Sequence, residues 1–262
     1  MRSGVLVPLV TPVTAAGHVS EADVARLVGA VGGYVVALVP GLSTGEGWAL
    51  DDERWAAMVR HSVTHAGGLP VLAGVQCRTS AEIATRARAA VDLGVSGVVS
   101  PTPTGPDVSQ EEMFRHYADL VAAVPVPVVV YHESAVSRNL LDRETLLRVC
   151  ELDGVVAVKD SGGDPAATNA LLEARPDVVV WQGYEDLVVH TPGVDGYVFA
   201  LANVEPELCS RYYAGDAGPA ELDEACTRYR LAEPDWYRHV KTDLCRRGVI
   251  STPATVNPCG ER

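Results

Sequence analysis

A lysine at the end of an apolar run is the residue of this chain with the clearest chemical use. The stretch Val155-Val156-Ala157-Val158-Lys159-Asp160 contains a strand candidate over Val155–Lys159. Burial among apolar neighbours disfavours the ammonium form and lowers a lysine's pKa. A neutral lysine amine attacks ketones and aldehydes to give a Schiff base. The alternative is an ammonium that snorkels out of the strand end or pairs with Asp160. The preceding strand candidate, Val126–Tyr131, ends in a phenol that adjacent strands bring beside Lys159. A phenol next to an imine suits proton transfer to a substrate hydroxyl or enamine carbon. The third group is the tight turn Gly41-Leu42-Ser43-Thr44-Gly45-Glu46. Its hydroxyls and backbone N–H groups can hold a small carboxylate or phosphate, on the Ser43–Thr44 side rather than beside acidic Glu46. An ordinary capped strand-to-helix turn has the same composition. Trp48, just beyond, either walls the pocket or packs under the loop.

These groups need a scaffold that gathers strand ends. Further strand candidates are Val5–Val10, Tyr34–Val39, Val71–Val75, Gly97–Ser100, Val178–Trp181 and Gly196–Ala200. They are nearly all apolar, as strands covered on both faces are. Helix candidates alternate with them: Glu21–Val31, Asp52–His65, Ser80–Leu93, Gln110–Ala123, Arg143–Leu152, Pro165–Ala174, Tyr184–Thr191 and Pro206–Ala214. Several open on a cap followed by acids, as in Ser20-Glu21-Ala22-Asp23, Thr79-Ser80-Ala81-Glu82 and Ser109-Gln110-Glu111-Glu112. Eight strand–helix units predict an α/β fold, a (β/α)8 TIM barrel over 1–216, with active groups at the C-terminal ends of the strands. A doubly wound sheet is the alternative, but neither G-x-G-x-x-G nor a P-loop follows the first strand. Residues 217–262 read as a short C-terminal helical extension of the same domain, with helices over Pro219–Leu231 and Asp235–Arg247 and an irregular tail Thr252–Arg262.

The chain has 262 residues and a formal net charge of −13. It carries no basic run, which excludes nucleic acid and anionic membrane surfaces as expected partners. No apolar stretch approaches bilayer-spanning length, and Met1-Arg2-Ser3 leads straight into a strand candidate. The six cysteines show no C-x-x-C pair and no clustering with histidine, as reduced thiols in a cytoplasmic protein would. Of the 21 basic residues only Lys159 and Lys241 are lysine. Lys241 lies with Arg238 and Arg246 in the last helix candidate and reads as a solvated or interface charge.

The ordered set of motifs resembles a known family. Val7-Pro8-Leu9-Val10-Thr11-Pro12, Ser43-Thr44-Gly45-Glu46, Leu50-Asp51-Asp52-Glu53-Arg54 and Leu72-Ala73-Gly74-Val75 come first. Tyr131, Val158-Lys159-Asp160-Ser161-Gly162-Gly163-Asp164, Ala202-Asn203-Val204 and Val240-Lys241 follow. Over about residues 4–258 the chain is similar to the dihydrodipicolinate synthase / N-acetylneuraminate lyase family of Schiff-base lyases and aldolases. The resemblance implies a TIM barrel assembled as a homo-oligomer, tetramer or dimer. It makes Lys159 the imine-forming lysine and Tyr131 the general acid/base. Ser43 and Thr44 become the turn for the carboxylate of pyruvate or another 2-oxo acid, and Val198 a strand-end position whose carbonyl lines the same site. No metal or organic cofactor is implied.

The chain departs from that family in two loops. The segment Ser100-Pro101-Thr102-Pro103-Thr104-Gly105-Pro106 lacks the tyrosine that relays protons between subunits in the dihydrodipicolinate synthases. The family's Tyr-Asn-x-Pro segment is replaced by Tyr131-His132-Glu133-Ser134-Ala135-Val136-Ser137-Arg138. The lysine-biosynthetic reaction is therefore not expected. His132, Glu133 and Arg138 are candidates for substrate binding, the first two also for auxiliary acid/base work or for hydrogen bonds to loop backbone. The expected function is a Schiff-base lyase or aldolase acting on pyruvate or a longer 2-oxo acid. The alternatives are a 2-oxo-acid dehydratase of the same family and a non-catalytic 2-oxo-acid-binding homologue.

Overall fold

The computed structural model describes residues 3–174 and 177–256. Eight parallel strands alternate with helices in a (β/α)8 barrel: β1 (Gly4–Pro8), β2 (Ala37–Val39), β3 (Leu72–Gly74), β4 (Gly97–Ser100), β5 (Val128–Glu133), β6 (Val155–Ser161), β7 (Val179–Gln182) and β8 (Gly196–Val198). The hydrogen-bonded order β2-β1-β8-β7-β6-β5-β4-β3 rules out the doubly wound alternative. The remaining seam, β2 to β3, is held by an isolated parallel bridge between Leu38 and Val71. Leu38 N–H donates to Pro70 O at 3.0 Å and Gly74 N–H to Pro40 O at 2.8 Å across it.

The α-helices between strands are α1 (Glu21–Val31), α2 (Asp52–His65), α3 (Ser80–Asp92), α4 (Gln110–Ala123), α5 (Arg143–Cys150) and α6 (Pro165–Ala174), and α7 (Pro206–Ala214) follows β8. Their starts follow from side-chain capping of otherwise orphaned N–H groups. Ser20 and Asp51 accept from the backbone at Asp23 and Arg54, and Thr79/Glu82 and Ser109/Glu112 form reciprocal capping boxes. The expected helix over Tyr184–Thr191 is instead a 3-10 helix, Glu185–His190.

Period-two alternation sorts each strand between two cores. Leu6, Val39, Leu72, Val99, Val129, Ala157, Trp181 and Val198 fill the barrel interior together with Tyr131. Val7, Leu38, Val98, Val128, Val130 and Val158 face the helices. Two helices complete the described chain, α8 (Pro219–Arg228) and α9 (Trp236–Arg246). They are tied to the barrel by Arg247 Nη1, which donates to Val204 O at 2.7 Å, and by Tyr229 Oη, 2.5 Å from Glu205 Oε1. Cys259 and the tail from residue 257 onward lie outside the described residues. Five cysteines, 77, 150, 209, 226 and 245, are free thiols, and no described helix is long and apolar enough to cross a membrane.

Candidate active site

β5 and β6 run two residues beyond their expected ends, and their register pairs Tyr131 with Lys159. Both side chains belong to the inward-facing set, with Lys159 only 5% exposed. Its Nζ lies 3.7 Å from the centroid of the Tyr131 ring. Burial lowers the Lys159 pKa to about 7, against the opposing pull of the Glu133 and Glu185 carboxylates. The amine is therefore substantially neutral near neutrality, the form that attacks a carbonyl. Asp160 does not pair with it, because the next residue along a strand points to the other face.

The turn after β2 completes this end of the site. A 3-10 turn, Ser43–Gly45, brings Ser43 and Thr44 to the lining of the cavity at this end of the barrel. Ser43 Oγ is 3.3 Å from Tyr131 Oη and accepts from Gln76 Nε2 at 3.0 Å. Backbone packs tightly here: a Cβ on Gly45 would stand 2.6 Å from Leu9 O.

A cavity of about 620 Å³ opens over these groups. Ser43, Thr44, Tyr131, Glu133, Lys159 and Val198 all line it. The Glu133 carboxylate accepts N–H bonds from Val136 at 2.8 Å and Ser137 at 3.0 Å, which coils the following loop on itself. Arg138 emerges from that coil in the left-handed region, φ 65°, exposed and outside the cavity lining.

Of the two readings of His132, the structure matches the hydrogen bond to loop backbone. Because β5 continues through Glu133, His132 falls on the helix-facing parity between two inward residues. It lies 3.0 Å from Asp160 Oδ1 through Nδ1 and 3.0 Å from Leu141 O through Nε2, and it does not line the cavity. Burial opposes the Asp160 carboxylate, but hydrogen bonds from His132, Thr168 and Gly162 hold its pKa below the ordinary value. The pair braces β5 against β6 from outside the barrel.

Lys241 is a correction. It is fully buried and its Nζ donates to Glu46 Oε1 at 2.6 Å and to Ala254 O at 2.9 Å. Burial lowers its pKa, while the paired Glu46 carboxylate acts the other way. Trp48 packs edge-to-face on Tyr237 of α9, centroids 5.6 Å apart, and does not wall this cavity.

The sequence reading missed several cavity residues. Glu185, in the 3-10 helix after β7, has its pKa raised to about 7 by burial, although Leu201 N–H donates to its Oε1 at 2.9 Å. Ser161 is inward-facing, two residues past Lys159, and its buried hydroxyl has no protein partner. Gly183 opens the space above Lys159, since a Cβ there would overlap Ser161 Oγ and stand 3.1 Å from Lys159 Cε. The far wall comes from the C-terminal region, including Asp223, Cys226, Arg230 and Trp236. Glu233 also lines it and, with Asp235 and His239, brings possible metal-ligand atoms within 4.8 Å of one another. His239 Nε2 lies 2.9 Å from Glu233 Oε2 within that group.

A parallel barrel with a desolvated lysine, a phenol and paired hydroxyls at its strand ends defines the class, an aldolase-type lyase fold. The comparisons with known proteins specify it further. The chain belongs to the dihydrodipicolinate synthetase family, whose model matches residues 1–261. It is 34% identical to a DapA-like lyase of Halobacterium salinarum, over 95% of this chain and 86% of the relative. It is 28% identical to a 4-hydroxy-tetrahydrodipicolinate synthase of Azoarcus sp., over 86% of this chain and 80% of the relative. Dihydrodipicolinate synthase from Bacteroides thetaiotaomicron superposes with a TM-score of 0.88 at 25% identity, over 98% of this chain and 92% of that one.

Proposed function

We propose that the protein is a Schiff-base lyase acting on pyruvate or a longer 2-oxo acid. The observation that carries this reading is a buried Lys159 amine, its pKa lowered by desolvation, packed on Tyr131 beside the Ser43–Thr44 turn. The turn holds the substrate carboxylate through hydroxyl and backbone N–H donors. Lys159 Nζ adds to the ketone carbon, and loss of water from the carbinolamine gives an iminium. The iminium withdraws electrons as the adjacent carbon loses a proton or a C–C bond breaks, leaving an enamine. In the synthetic direction the enamine carbon attacks an aldehyde, and water then releases the product and restores the amine. Tyr131 Oη moves the protons, oriented by the Ser43 hydroxyl, itself fixed by Gln76.

The cavity lining supports an acceptor without a carboxylate or phosphate. Glu133, Glu185, Asp186, Asp223 and Glu233 line it, with Arg230 as the cation besides Lys159, and Arg138 stands outside. An anionic tail placed there meets a predominantly acidic lining.

Borohydride reduction in the presence of pyruvate tests the mechanism. The expected product is a carboxyethyl adduct on the Lys159 peptide, absent in Lys159→Ala. A wild-type peptide of unchanged mass with pyruvate and with longer 2-oxo acids overturns the reading.

A further inference from the structure

The buried pair Lys241–Glu46 is used by no step above, although it joins groups 195 residues apart. Glu46 sits at the corner between two 3-10 turns, Ser43–Gly45 and Gly47–Ala49, in the left-handed region with φ 57°. A side chain in that region carries backbone strain unless its surroundings hold it. Here Glu46 N–H donates to Ser43 O at 3.0 Å, and Ala49 N–H to Glu46 O at 2.9 Å. Both partners of the ion pair are fully buried, so neither can exchange its partner for water. The same ammonium holds Ala254 O at 2.9 Å, which fastens the segment after α9 to the same point. One cation thus clamps the corner of the turn that carries Ser43 and Thr44 to the C-terminal helices.

We infer that Lys241 is a positioning residue, acting through Glu46 to hold the Ser43–Thr44 turn in the geometry that receives the substrate carboxylate. The catalytic part of this inference rests on the proposed 2-oxo acid chemistry; the fastening itself does not. A loop whose corner is free samples orientations in which the two hydroxyls no longer converge on one anion. Displacements of an ångström in positioning groups cost on the order of 100-fold.

Lys241→Met tests it by two independent readouts. Hydrogen exchange reads the turn directly: amides of segment 42–49 are expected to exchange at least about tenfold faster, with β5 and β6 unchanged. Kinetics reads the consequence: KM for the 2-oxo acid rises by about 10- to 100-fold while kcat changes far less. The double variant Glu46→Leu with Lys241→Met removes both charges and recovers thermal stability, yet keeps the raised KM. Unchanged protection over 42–49 overturns the fastening. Faster exchange with an unchanged KM overturns the catalytic role, as does a double variant that recovers KM along with Tm. If the wild type traps no 2-oxo acid, the imine reading falls, and exchange alone decides whether the latch exists.

Discussion

Replacing Lys159 by methionine is expected to abolish activity and to stabilise the fold, by an amount that depends on pH. Burial lowers the Lys159 pKa from 10.5 to about 7. At pH 7 an ordinary lysine is about 0.03% neutral, whereas one titrating at about 7 is roughly half neutral, a gain on the order of 1,500-fold in reactive amine. The same shift has a cost in stability. Between pH 7 and 10.5 the unfolded chain binds more protons at this position than the folded chain, so folded stability rises with pH across that window. Below about pH 7 the destabilisation is nearly complete and amounts to roughly 4 kcal/mol at pH 7 itself. Lys159→Met removes it and, at about 2–4 °C per kcal/mol for a chain of this size, raises Tm by about 10 °C at pH 7. The advantage shrinks toward zero as pH approaches 10.5. Calorimetry or denaturant titration at pH 7 and pH 9.5 measures it, and the pH profile of borohydride trapping supplies the kinetic half, rising to a plateau above a midpoint near 7. A methionine variant less stable than wild type at pH 7, a stability margin that ignores pH, or a trapping midpoint near 10 refutes the reasoning.

Other perturbations separate the remaining groups. Glu185→Gln removes a carboxylate that raises the Lys159 pKa, so the trapping midpoint is expected to move below that of wild type; a midpoint that stays or rises contradicts the assigned electrostatics. Tyr131→Phe keeps the ring that packs on Lys159 and loses the hydroxyl. Turnover should fall by about 10²- to 10⁴-fold while the borohydride adduct still forms, and a turnover within a few-fold of wild type excludes the phenol as proton carrier. Asp160→Ala strips the buried His132 of its carboxylate partner without touching the cavity. It should cost about 1–3 kcal/mol in denaturant midpoint with KM preserved, and a raised KM at unchanged stability would show that His132 reaches the substrate after all.

Alternation made part of the site legible. In β6 the residues at 157, 159 and 161 share the inner face, and in β5 those at 129, 131 and 133 do, so Tyr131 and Lys159 could be placed side by side from their strand ends. His132 read as a loop residue because β5 was expected to stop at Tyr131; two more strand residues turn it outward and Glu133 inward. Glu185 was hidden by a segment whose apolar spacing resembles an α-helix, whereas the chain turns there in 3-10 form to bring a carboxylate against Leu201 N–H. The capping acids of α1, α3 and α4 were readable because both partners of each cap lie within three residues. Long-range pairs leave no such local trace, and a lysine between arginines on an amphipathic helix gives no sign that it enters a core.

Arginine and lysine divide the buried cationic work by shape. Arg86 is buried too, but its planar head spreads over Gln76 O at 2.9 Å, Leu50 O at 3.3 Å and Asp52 Oδ1 at 2.7 Å while lying over the Trp55 ring. That fork needs acceptors arranged in a plane. Lys241 enters from α9 with a compact head that meets one carboxylate and one carbonyl in a space with no exposed surface, which an ammonium on a slender stem can reach. At Lys159 the requirement is sharper, because only an amine that can lose its proton is able to form an imine. In a chain that otherwise supplies its positive charge as arginine, both lysines thus stand in buried sites. On the proposed reading, one offers its nitrogen to the substrate and the other holds the turn that orients it.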